Sequence, residues 1–285
     1  MAGIRASRVA AFSAYEIRRA VARRKVLAMV AFTALLVTVP YYILSTSGTT
    51  VIPVAIYPYV WVAGVIAPFS LFIQFIAILI AAGAMSEEYE AGTAELLLSK
   101  PVSRTEFFVG KYIGGYVLLA LIVALDATLS IVSASLTYGP QAGLETLPGV
   151  LAVEVFASAL FYSVAFMMGE LLRRSSLAYI MSSAIILSSQ IIGTYLQVAY
   201  EITGKALYQS IHVYLPTVVA GSLPPQFEQP LLPSSASRLF SLILGPSGGT
   251  PSEAAAVAMV SIYFAVATGI ALVYFNRADV ARRVS

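Results

Sequence analysis

The sequence predicts an all-α integral membrane protein with six transmembrane helices. Hydrophobic residues make up 59% of its 285 residues and charged residues 11%, where a soluble domain carries roughly 25% charged residues. About six apolar runs are each long enough to cross a ~30 Å hydrocarbon core at 1.5 Å rise per residue. The cations fall in short clusters between these runs, as the positive-inside rule requires.

Residues 1–25 hold seven Lys/Arg and no unbroken apolar stretch, so a cleavable signal peptide is not expected. On a helical wheel, Val9, Ala10, Ile17, Ala20 and Val21 share an arc opposite Arg5, Arg8, Arg18 and Arg19. That pattern predicts an amphipathic helix lying in the membrane interface, with a disordered basic tail as the alternative. The remainder, 26–285, reads as one transmembrane domain.

Its spans are expected at about 26–44, 59–85, 107–137, 147–169, 176–200 and 253–275. Tyr57, Tyr59 and Trp61 suit an aromatic belt at the entry to the second span. Ser103-Arg104-Thr105-Glu106 is a capping box that starts the third. Thr250-Pro251-Ser252-Glu253 gives the last span a similar start, with Pro at the first helical position. The outer region, 201–252, contains the apolar stretch 206–223, which is broken by Gln209, His212 and Pro216. Stretches 206–223 and 238–245 are read as short helices on or dipping into the outer face. With both termini cytoplasmic, the inside segments carry 15 of the 17 Lys/Arg.

The net charge of +3 is dispersed, which does not make a nucleic-acid footprint. Zero Cys and a single His exclude a disulfide framework, a thiolate zinc site and a thiol nucleophile. No P-loop is present: Gly110-Lys111 is followed by Tyr112, and Gly204-Lys205 by Ala206, so neither fits G-x-x-x-x-G-K-[ST].

The informative segment is the loop 86–104. Glu87, Glu88, Glu90 and Glu95 supply four acids, Gly92-Thr93 a break, Leu96, Leu97 and Leu98 an apolar triplet, and Pro101 a stop. Two readings stand on the residues alone. A short acid-and-leucine helix docks into a groove of another protein, or the leucines fold back under the bundle while the acids stay solvated.

This loop resembles the intracellular loop between the second and third spans of ABC-2-type transporter permeases. The matching residues are Glu88, Gly92, Thr93, Glu95, Leu97, Leu98, Ser99, Pro101, Val102, Ser103, Arg104, Gly110 and Lys111. The closest flavour is the subgroup similar to the copper-site maturation permease of nitrous oxide reductase. The resemblance implies a transmembrane subunit of an ATP-driven ABC exporter in the plasma membrane. It implies a homodimer or heterodimer of permeases in lipid, a separate cytoplasmic ABC ATPase that binds ATP and Mg, and no cofactor or catalytic residue in this chain. It also implies that 86–104 is a coupling helix, with Glu87, Glu88, Glu90, Gly92, Thr93, Glu95, Leu96, Leu97, Leu98, Pro101 and Arg104 meeting the ATPase.

Asp126 and Glu154 fall inside spans, where an ion costs roughly 2.5–3.5 kcal/mol on insertion scales. They read either as part of a translocation path or as interhelical hydrogen-bonding groups. Two other functions compete: a proton-coupled secondary transporter using Asp126 and Glu154, and a membrane scaffold for maturation of another protein.

Overall fold

Glycine spacing decides where the first helix goes. The computed structural model describes residues 5–46, 52–68, 72–99, 102–228, 230, 232–233 and 249–277. Its α-helices are α1 Ala6–Val21, α2 Arg24–Thr46, α3 Val60–Pro68, α4 Gln74–Glu90, α5 Thr93–Leu98, α6 Arg104–Tyr138, α7 Leu147–Leu172, α8 Ser175–Thr203, α9 Ala206–His212, α10 Pro216–Glu228 and α11 Glu253–Arg277. No strand occurs among the described residues.

Helix α1, expected to lie in the membrane interface, packs along α6. It crosses α6 in contact with Gly110 and Gly114. A Cβ on Gly110 would lie 2.4 Å from Phe12 Cβ, and one on Gly114 would lie 2.6 Å from the Ser13 carbonyl oxygen. The small-xxx-small spacing removes side chains where the two backbones meet. Ser13 Oγ donates to the Gly110 carbonyl at 3.0 Å, Ile17 and Ala20 of the apolar arc pack into the core, and Phe12, outside that arc, meets the Phe107 ring edge-on.

Five helices among the described residues are long and apolar enough to cross a bilayer: α2, α6, α7 with the 3-10 turn before it, α8 and α11. The expected span at 59–85 is described as α3 of 9 residues and α4 of 17, with residues 69–71 between them outside the described residues. Helix α7 is the centre of the bundle: 61% of its apolar window is buried, against 22% for α2 and for α11. It packs on α4, α6, α8, α10 and α11.

Trp61, expected in an exposed belt, is 1% exposed and donates its indole N–H to the Ala142 carbonyl at 2.9 Å. Residues 206–223 fall within α9 and α10, of 7 and 13 residues. The stretch 238–245 lies outside the described residues. Ser189 Oγ accepts the Thr217 N–H at 3.1 Å, so the start of α10 is capped from the middle of α8. His212 is buried with Nδ1 3.1 Å from the Gly249 carbonyl, a structural contact. Helix α11 begins at Glu253, later than the Thr250 box suggested. Ser252 Oγ accepts the Ala255 N–H at 3.4 Å, and the Pro251 carbonyl is held by Gln226 at 2.9 Å.

Replacing Gly114 with Val forces α1 off α6. The cost expected for overpacking is about 1–3 kcal/mol, read as a lower Tm of the purified chain and faster proteolysis within residues 6–21. An unchanged Tm would contradict the close approach.

Candidate functional site

At the basic end of the bundle, α4 stops after Glu90 and Gly92 takes a left-handed φ of +68°. The chain turns into the six-residue α5 and re-enters α6 through a cap. Ser103 Oγ accepts the Glu106 N–H at 3.1 Å, and Glu106 Oε2 accepts the Ser103 N–H at 2.9 Å, so the predicted capping box is formed. Glu106 also receives the Arg5 N–H at 2.8 Å and Arg8 at 3.4 Å. One carboxylate therefore starts α6 and pins the start of α1. The Ser103 and Arg5 amides, with the Ser103 hydroxyl and Arg8, hold its pKa at about 2.

Behind this elbow lies a knot of charge. Lys111, fully buried, donates to Glu16 Oε2 at 2.5 Å and also to Glu88 Oε1. Arg19 reaches Glu88 at 2.8 Å and Glu87 at 3.5 Å. Arg23 reaches Glu87 at 3.0 Å and Glu16 at 3.4 Å. Lys25 reaches Glu87 at 2.5 Å and the Tyr179 hydroxyl at 2.6 Å. Four cations thus meet three carboxylates, drawn from α1, α2, α4 and α6, with Arg23 in the turn before α2 and the Tyr179 hydroxyl joining from α8.

Burial pushes each of these carboxyls up, and the adjacent cations pull it down. At Glu88 burial is the largest single influence, but Lys111, Thr93 and Arg19 together outweigh it and the pKa falls; at Glu87 Arg23, Lys25 and Tyr179 together do the same. At Glu16, burial prevails over Lys111 and the pKa is raised.

The loop residues singled out by sequence divide accordingly. Glu87 and Glu88 turn into the knot. Glu90 accepts the Ser175 N–H at 2.9 Å and its hydroxyl at 2.6 Å, capping α8 from outside. Thr93 Oγ1 donates back to Glu88, tying α5 to α4. Arg104 donates to the Phe275 and Asn276 carbonyls at 3.2 and 3.3 Å, closing the end of α11. Leu97 packs on the core, whereas Leu96 is 68% exposed. Pro101 and the side chains of Glu95 and Leu98 lie outside the described residues. Asp126 and Glu154 are buried near the other end, remote from the knot.

Sequence reasoning missed Glu16, Arg19, Arg23, Lys25 and Tyr179 as partners of this loop. Two signals were available: Glu16 is the one acid in α1, and Gly110…Gly114 frames Lys111.

A bundle of long apolar helices with a charged elbow at one end defines a multi-pass membrane protein. The family model described as ABC-2 family transporter protein matches residues 10–280. The chain belongs to that family, whose permeases form the membrane subunit of ABC transporters and generally work with a cytoplasmic ABC ATPase. No curated protein matches the chain.

Lys111→Met leaves Glu16 and Glu88 buried without their shared cation. A loss of about 3–5 kcal/mol is expected, seen as a collapse in folded yield that the double variant Glu16→Gln/Lys111→Met partly restores. The Glu106 pKa is depressed from an unfolded value of about 4.3, so its contribution is full above that pH and is lost as pH falls toward about 2. The Tm difference between the parent chain and Glu106→Gln should therefore shrink between pH 6 and pH 3. A constant difference would contradict the assignment.

Proposed function

We propose that the chain is the permease subunit of an ATP-driven exporter in the plasma membrane, and that α5 is its contact with a separate cytoplasmic ATPase. The observation that carries this reading is Leu96. It is an exposed leucine on a short helix locked to the bundle on both sides, by Thr93–Glu88 before it and the Ser103–Glu106 box after it. Apolar exposure on so rigid a mount suits a docking surface. The acids act behind that surface: a push on α5 enters the knot and reaches α1, α2, α4, α6 and α8 together. Among the described loop residues, Gly92, Leu96 and their exposed neighbours are left for the contact, and Glu95, Leu98 and Pro101 stay in the proposed set. Glu87, Glu88 and Glu90 transmit the motion, and Arg104 passes it to α11.

A sixth crossing made by α3 and α4 in series is supported by the Lys25–Glu87 pair at 2.5 Å. Helix α2 leaves from Lys25 and α4 returns to it, so the chain between them crosses back. Six crossings leave both ends on the basic side, which is the cytoplasmic side under the positive-inside rule. The ATP and Mg belong to the ATPase, and a second permease, identical or related, completes the pathway. The loop motif remains the link to the maturation-permease subgroup.

The test is Leu96→Asp. The variant should insert and keep its Tm while stimulation of the partner ATPase and ATP-driven transport drop at least about tenfold. Full transport by this variant, or by the parent chain with no ATPase present, would overturn the reading.

A further inference from the structure

Gly115, Ile80 and Tyr162 mark one depth in the bundle. A Cβ on Gly115 would lie 2.3 Å from the Tyr162 hydroxyl and 3.1 Å from Ile80 Cγ2. Helical rise then sets Gln74 on α4 ~9 Å, Glu154 on α7 ~12 Å and Asp126 on α6 ~16 Å farther from the basic end.

Helical side chains lean toward their own N-terminus. Asp126, on a helix that starts at the basic end, leans back toward that end. Glu154 and Gln74, on helices that run the other way, lean to meet it. Glu228, at the far end of α10, joins from the opposite side. Its neighbour Phe227 lies on Gly149, where a Cβ would meet the ring at 2.7 Å, about 7.5 Å beyond Glu154 by helical rise. Glu154 interacts electrostatically with both Glu228 and Asp126.

All four side chains are at least 97% buried. Both oxygens of Asp126 and of Glu228, one oxygen of Glu154 and both amide atoms of Gln74 have no hydrogen-bond partner among the described residues. Buried polar groups left without partners mark the place of something else. Among the described residues, no three acidic, His or Cys side chains could hold a metal ion, so the spacing suits a larger cation.

We propose that Asp126, Glu154 and Glu228, with Gln74 beside them, seat the positively charged head of an organic ammonium cargo. The seat rests on the transporter reading and names the substrate class for it. The experiment uses the full chain in phosphatidylcholine nanodiscs without any ATPase, with ethidium as probe and fluorescence anisotropy as readout.

Saturable ethidium binding is expected, displaced by octylammonium and not by octanol. Asp126→Asn, Glu154→Gln and Glu228→Gln should each weaken it at least about tenfold, and Lys205→Gln should leave it unchanged. Three separate variants guard against misfolding of any one. No saturable binding, equal binding by all the carboxamide variants, or equal displacement by octanol overturns the seat. Because no ATPase takes part, failure here leaves the coupling reading standing, and failure of coupling leaves ethidium binding as it was.

Discussion

Lys111 is the residue on which the rest of the basic end depends. Its ammonium is fully buried between Glu16 and Glu88, so α1, α4 and α6 meet at one atom. A buried pair adds little net stability, because desolvation offsets most of the attraction, yet removing one partner is severe. Such a contact works as a registration device. It tolerates one arrangement of the three helices and penalises every intermediate. Arg19, Arg23 and Lys25 extend the same logic to Glu87, and through Tyr179 to α8.

That arrangement changes what the acid-rich loop is for. An acidic run read in one dimension looks like a charged docking face. In three dimensions Glu87 and Glu88 turn into the knot and Glu90 caps α8 at the surface, while Leu96 is left exposed on α5. The long α6, about 53 Å from its 35 residues at 1.5 Å each, connects the elbow at one end with Asp126 nearer the other. The molecule thus joins an ion-paired end to an interior holding buried carboxyls whose oxygens lack partners among the described residues.

Much of this was legible in the sequence because local physics dictated it. The apolar runs, the Ser103–Glu106 box and the breaks at Gly92 and at Arg173 all appear where composition and capping chemistry put them. The misreadings share one cause, which is tertiary pairing across long separations. Glu16 and Lys111 stand 95 residues apart, and no periodicity announces their meeting. Glu228 follows Pro224-Pro225-Gln226-Phe227, a stretch that reads as a surface loop until α10 is packed against α7.

The central claim is that α1 and the α4–α5 elbow move as one body. The chain has no cysteine, so spin labels can be placed at the exposed Ala14 and Ala91 without background. Pulsed dipolar distance measurement, with the partner ATPase in its ATP-bound and nucleotide-free states, tests the claim directly. The account predicts one narrow distance that stays the same in both states. A distance that shifts with nucleotide while Lys111, Glu16 and Glu88 are intact would contradict it.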